Sequence, residues 1–293
     1  MQRFIRFLFK TLTAVVLISI TGCATKKPCL LVAEQAQLSK VDCVGHSVLL
    51  LEGPGPVSVI QRELFVLRNS QIVVFDMFGK ERRRIPVPKE VSYAINFVVV
   101  PDGRFAFLDN RNDAVYFVNV KGEHLKTVPF NDEPDNSWQN MDGVVVGNRL
   151  IISENGNNQV FAVDLSTYQV SIFRDLTNLK DWLGAITYAD GEYYICQSRA
   201  IYAFSEDSES VRKIASTPEG NITGIAYAQG RLFVVVNGQS RIKERSLAAK
   251  HGTTQGVLYE INRETGEVRL VKDSLNYPQG VHIIPTGGSH RIK

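Results

Sequence analysis

Read for hydrophobic and polar positions, the chain repeats one short cadence. Apolar runs of about five or six residues, rich in aromatic and β-branched side chains, alternate with brief polar turns. The stretch from Asp102 to Gly122 shows it in full. Arg104–Leu108 and Ala114–Val120 predict two strands. Between them, Asp109-Asn110-Arg111-Asn112-Asp113 is a run whose side chains bond their own backbone, which predicts a turn. Asp102-Gly103 and Lys121-Gly122 predict the flanking turns. No helical period of any length competes with this pattern in the chain beyond its N-terminal segment.

The second strand of the unit can be followed through its apolar anchor. Leu64, Phe105, Leu150, Tyr193 and Leu232 are spaced 41, 45, 43 and 39 residues apart. Periods of roughly 40–45 residues belong to propellers with one four-stranded blade per repeat. The polar loop returns as Glu154-Asn155-Gly156-Asn157-Asn158, and the turn as Asp190-Gly191 and Gln229-Gly230. In these features the chain resembles the NHL-type repeat of β-propellers, in which a D-G turn, a strand, a D-x-x-N-N-like loop, a V-x-x-F-like strand and a terminal Gly recur.

Five units of strands A to D follow from Gly55. Their A strands are expected at Pro56–Ile60, Asn96–Val100, Gly143–Val146, Ala185–Ala189 and Gly224–Ala228. Past the fifth, Val281–Pro285 predicts one more A strand and Ser289–Ile292 a weak B strand. Leu30–Glu34 and Ser47–Glu52 predict two N-terminal strands, which would supply the missing C and D. The expected fold is all-β: a six-bladed β-propeller of four-stranded antiparallel blades over residues 29–293, its last blade closed by strands from both termini. Such closure leaves fewer exposed edges.

The first residues have another purpose. Arg3, Arg6 and Lys10 precede an apolar core from Thr11 to Ile20, which is too short to span a bilayer permanently. Ile20-Thr21-Gly22-Cys23 resembles a bacterial lipobox, whose cysteine is lipidated and becomes the mature N-terminus. That resemblance implies a signal peptide at 1–22, lipidation at Cys23 and a short tether over 23–28. Ala24 after the cysteine, by likeness to Gram-negative sorting signals, implies the outer membrane with the domain facing the periplasm. The membrane, through the lipid, is the first expected partner.

Removing that segment changes the charge. The chain holds 33 basic and 30 acidic residues, and Arg3, Arg6 and Lys10 account for the whole excess. A neutral domain has no electrostatic footprint for nucleic acid, so none is expected as a partner. Beyond Cys23, three cysteines remain for an oxidising compartment. Cys29 and Cys43 flank a hairpin-like excursion and are candidates for a disulfide, although connectivity is not fixed by sequence. Cys196 lies in an alternating strand and reads as a small buried hydrophobe.

Candidate chemistry is confined to loops. In propellers, D-to-A and B-to-C connections share the face where ligands and partners are usually held. One D-to-A connection, Asn131–Asn140, brings Asp135 and Trp138, and the next brings Asp181 and Trp182. A B-to-C insertion, Asn237–Gln255, carries Arg241, Lys243 and Arg245. These residues form the candidate binding face, with aromatic and basic anchors for an envelope protein or polysaccharide. No G-x-S-x-G elbow, P-loop, dinucleotide fingerprint or H-E-x-x-H occurs, so no catalytic residue and no cofactor is expected. His282 falls in an A strand near the channel and reads as structural.

The non-enzymatic binding module has one enzymatic alternative. Leu51-Glu52-Gly53-Pro54 resembles the first ligand motif, E-G-P, of gluconolactonase-type six-bladed propellers, which hold a divalent metal at the channel mouth. The resemblance implies Glu52 as a ligand, with Asp142 and Asn221 the nearest substitutes for the others, in a metal-dependent lactonase-like hydrolase. The segment after Glu52 lacks the expected W-D. Pro101-Asp102-Gly103 reads as an A-to-B turn on the opposite face.

Overall fold

In the computed structural model, which describes residues 29–284 apart from 35–36, 43–44, 53–55, 69, 92–93, 110–111, 131–140, 239–254 and 277, the repeated cadence becomes repeated blades. Blade one is β4 (Val57–Ile60), β5 (Glu63–Arg68), β6 (Gln71–Asp76) and β7 (Glu81–Pro86). Blade two is β8 (Ala94–Val99), β9 (Phe105–Asp109), β10 (Ala114–Val118) and β11 (His124–Pro129). Blade three is β12 (Met141–Val146), β13 (Arg149–Glu154), β14 (Gln159–Asp164) and β15 (Val170–Asp175). Blade four is β16 (Leu183–Ala189), β17 (Glu192–Gln197), β18 (Ala200–Ser205) and β19 (Arg212–Ser216). Blade five is β20 (Asn221–Ala228), β21 (Arg231–Asn237), β22 (Gln255–Asn262) and β23 (Val268–Asn276). Each is an antiparallel meander, and the first strands of successive blades touch around a closed ring.

The sixth blade is composite, in the order β24 (Pro278–Ile284), β1 (Cys29–Glu34), β2 (Gln37–Val41), β3 (Ser47–Glu52). Closure by both termini is as expected, but its division differs. The N-terminal segment supplies three strands, B, C and D, rather than two. The missed strand, Gln37-Leu38-Ser39-Lys40-Val41, does not look apolar because Ser39 is one of its buried residues. Its hydroxyl donates to Glu34 Oε1 at 3.3 Å, which meets the demand that a buried polar group be bonded. The possible strand at 289–292 lies outside the described residues.

The pattern of burial explains why B strands such as Glu63–Arg68 and Arg231–Asn237 are apolar almost throughout. Both faces of each inner sheet are covered by a neighbouring blade, as in sheets sandwiched between layers. Leu64 and Val66 pack toward the composite blade, whereas Phe65 faces blade two and packs in the cluster with Phe97 and Phe105 of that blade. There is accordingly no single core but six, one in each gap between blades. The anchors Leu64, Phe105, Leu150, Tyr193 and Leu232 are all buried at equivalent places, and Leu30 of β1 supplies the sixth.

The C-to-D turns lock blade to blade. Asp76 Oδ1 accepts the amides of Phe78 and Lys80, at 2.9 and 3.0 Å, and Asn119 Oδ1 accepts those of Lys121 and Glu123 at 2.9 and 3.0 Å. Each turn ends in a left-handed glycine, Gly79 at φ 82° and Gly122 at φ 85°. A Cβ on Gly79 would stand 2.8 Å from the Leu50 carbonyl oxygen, and one on Gly122 would stand 2.3 Å from that of Pro86. Each turn therefore abuts the outer strand of the preceding blade, and only glycine fits both the dihedral and the gap.

Candidate functional site

All six inner strands start at one end of the ring, here called the upper face, where the D-to-A and B-to-C connections also lie. At that face every B strand ends on a polar residue: Arg68, Asp109, Glu154, Gln197, Asn237 and, in the composite blade, Glu34. Most of this circle is buried and structural. Glu154 Oε2 accepts the Asn157 amide at 2.9 Å, and Asp109 Oδ2 accepts Asn112 Nδ2 at 2.8 Å, so both close their own B-to-C turns. Three others reach the connection entering their own blade. Glu34 Oε2 accepts the Asn276 amide at 2.6 Å, Arg68 donates to the Glu52 carbonyl, and Gln197 donates to the Asp181 carbonyl.

The last contact fixes the most exposed aromatic of the upper face among the described residues. Trp182 follows Asp181 and is 75 % exposed. On its other side the Leu183 amide donates to Asn158 Oδ1 at 3.2 Å. Asn158 also donates from Nδ2 to Leu179 O, and its carbonyl accepts from Leu176 N, both at 3.0 Å. Asn158 reaches this position from a left-handed conformation, φ 52°, which asparagine tolerates better than most residues. The backbone is thus held immediately before and after an indole that faces solvent. Such an arrangement lowers the ordering cost of gripping a partner.

Within the ring, Asp142 of β12 is a second focus. Asn96 Nδ2 donates to Oδ1 at 2.8 Å, the Gly143 amide to Oδ1 at 2.9 Å, and the Ile186 amide to Oδ2 at 3.0 Å. Desolvation pushes the carboxyl up to about 6, against the pull of these three donors. On β24, desolvation lowers His282 to about 4, so the imidazole is neutral at pH 7. Burial, and secondarily the Asp142 charge, raises the Cys196 thiol well above its usual value, and the residue packs in the core between blades four and five. It is an inert hydrophobe in this position, as its sequence context predicts.

The residues singled out from the sequence do not converge on one spot. Glu52 ends the outermost strand of the composite blade, Asp142 stands on the innermost strand of blade three, and Asn221 opens the innermost strand of blade five. Among the described residues, no three His, Cys, Asp or Glu side chains gather as a metal-binding group. Trp182 and Asp181 are exposed at the upper face. Asp135, Trp138, Arg241, Lys243 and Arg245 lie outside the described residues, although the strands on either side of them end at that same face. Cys23 and Cys43 are outside as well. Asn158 and Gln197, which position Trp182, were not singled out, since they act across 25 and 16 residues of sequence.

No family model matches the chain, and no curated protein matches it by sequence. Solved structures do. A protein of unknown function from Bacteroides caccae superposes with a TM-score of 0.63 at 15 % identity, covering 89 % of this chain and 100 % of that one. A chain of a nidogen/laminin complex gives 0.66 at 8 % identity, over 87 % of this chain and 97 % of that one. Virginiamycin B lyase from Staphylococcus aureus gives 0.54 at 16 % identity, over 75 % and 70 % respectively. At these identities the likeness is one of architecture, and fold alone does not carry function. The chain is a six-bladed β-propeller, with blades of four antiparallel strands and a last blade shared between its termini.

Proposed function

We propose that the protein is a lipid-anchored envelope protein, tethered through Cys23, whose propeller works as a non-enzymatic binding module. Its upper face engages an envelope protein or polysaccharide, with Trp182 as the central anchor and Asp181 beside it. The observation that supports this reading is the exposure of Trp182 on backbone held at both sides by Gln197 and Asn158. Binding energy at interfaces concentrates in a few aromatic and arginine anchors, and an indole presented rigidly buries a large area at little entropic cost. Trp138 and the basic run Arg241, Lys243 and Arg245, which the sequence places in neighbouring connections, are assigned to the same binding role.

The test compares wild type with Trp182→Ala as bait in cross-linked envelope fractions. Capture of a defined partner should fall sharply, while the melting temperature stays within a degree or two, because an exposed side chain contributes about 0.5 kcal/mol or less to stability. Undiminished capture by Trp182→Ala would remove this face from the function.

A further inference from the structure

The lower face, where A-to-B and C-to-D turns lie, is not uniform around the ring. The C-to-D turn of blade one presents Phe78, 87 % exposed, and the matching turn of blade two presents Val120, 57 % exposed. Val48 and Leu49 project from β3 at 68 % and 51 % exposure. The blade-one turn packs directly on that strand through Gly79 and Leu50, so these apolar residues occupy one sector. Exposed Arg62, Lys80 and Lys121 stand in the turns of the same two blades. Arg82 and Arg83 nearby are paired with Asp76 and Glu63, at 2.6 and 2.7 Å, whereas these three have no ion pair among the described residues. Blade four, directly across the ring from blade one, has the opposite character. Its C-to-D turn carries Asp207 and Glu209, with Glu206 paired to Arg149 at 2.6 Å, and no large exposed apolar side chain.

The start of the domain lies on the same sector. β1 begins at Cys29, paired with Ile284 at the lower end of β24. Six residue steps separate Cys29 from Cys23, a leash of at most about 20 Å even when fully extended. That is about the length of one strand, which keeps the acyl group near the lower end of the composite blade. Ile284, the last described residue of β24, is the partner of Cys29 in that pairing.

We infer that the lower rim formed by the composite blade and blades one and two is a membrane-docking surface, seated on the phospholipid leaflet that holds the lipid anchor. This rests on the assignment of Cys23 as the lipidated residue. Phe78 and Val120 enter the headgroup boundary, where aromatic and aliphatic side chains are favoured, and Arg62, Lys80 and Lys121 lie against lipid phosphates. The acidic turn of blade four is held away. The upper face with Trp182 then points from the membrane toward the compartment.

The experiment places a photoreactive residue, Phe78→p-benzoylphenylalanine, in the full-length protein in its own membranes, with Asp207→p-benzoylphenylalanine as the control. Both sites are exposed turn positions, so folding is undisturbed. Fatty-acid labelling of the wild-type chain and of Cys23→Ser is measured in parallel. The expected result is phospholipid adduct at position 78 and none above background at position 207. No lipid adduct at 78, equal adduct at both sites, or a protein adduct at 78 overturns the docking surface. If Cys23-dependent labelling persists in such a case, the anchor assignment stands alone. Lipid adduct at 78 without Cys23-dependent labelling supports the surface and removes the anchor.

Discussion

Asn96 Nδ2 lies 2.8 Å from Asp142 Oδ1, and the other oxygen of that carboxylate takes the Ile186 amide at 3.0 Å. One side chain therefore ties the inner strands of blades two, three and four. The arrangement has a pH signature. Asp142 is raised from its ordinary 3.8 to about 6, so the folded state binds more protons than the unfolded chain between these values, and stability falls as pH rises through that window. His282 is lowered from 6.5 to about 4, so the unfolded chain binds more protons, and stability is lost as pH falls through its window. Each shift corresponds to about 3 kcal/mol. The two contributions oppose each other in the wild type. Relative to wild type, His282→Phe should gain stability as pH drops from 6.5 to 4, and Asp142→Asn should lose it as pH drops from 6 to 4. Urea unfolding of the three proteins at several pH values reads this directly. Difference curves that stay flat would mean neither group is held as described.

The C-to-D turns offer a test of how blades lock together. Gly191, in the A-to-B turn of blade four, has φ 84° but open space around its missing Cβ, whereas Gly122, in a C-to-D turn, has φ 85° and the Pro86 carbonyl in the way. Gly191→Ala should cost about 1–2 kcal/mol, the penalty of a left-handed alanine. Gly122→Ala should cost about 1–3 kcal/mol more, because backbone must move between blades. Equal losses in chemical denaturation would show that the turn does not bear on the neighbouring strand.

Asn158 should control the rigidity of the Trp182 connection. Asn158→Gly keeps the left-handed backbone accessible and removes both side-chain hydrogen bonds, to Leu179 and Leu183. Amide exchange across residues 176–183 should accelerate, with about 1–3 kcal/mol lost in stability. Unchanged protection would leave Gln197 as the residue that holds the loop.

Closure of the ring predicts a cooperative response to truncation. Removing residues 278–293 strips β24 from the composite blade and opens the apolar edge of β1. The truncated chain should melt at a markedly lower temperature throughout instead of behaving as a trimmed version of the same domain. Wild-type thermal unfolding after truncation would mean that β24 is dispensable to the ring.

The strand order and blade count were legible because each B strand repeats a buried anchor at a nearly constant spacing. β2 was not, since its buried Ser39 depends on Glu34, a partner on another strand. The repeat in the C-to-D turns was visible only in part. Asp42, Asp76, Asn119 and Asn262 each precede a glycine by three or four residues, and the reason for that glycine is a carbonyl on the preceding blade. Of the candidate site, Trp182 could be placed from its position before an inner strand. What makes it a fixed platform could not, because Asn158 and Gln197 reach it only once blades three and four are side by side.

The division of the composite blade also has a consequence for biogenesis. Chains emerge N-terminus first, so β1, β2 and β3 are present from the start while the partner of β1 arrives last. Until Pro278–Ile284 pairs with Cys29–Glu34, the nascent protein carries an unsatisfied strand edge of Leu30, Leu31 and Val32. Such an edge is a template for wrong pairing. A copy interrupted anywhere before β24 keeps that mark, and a finished copy erases it. The shared blade thus leaves every chain that stops before β24 with an open apolar edge, and only a chain that reaches β24 closes it.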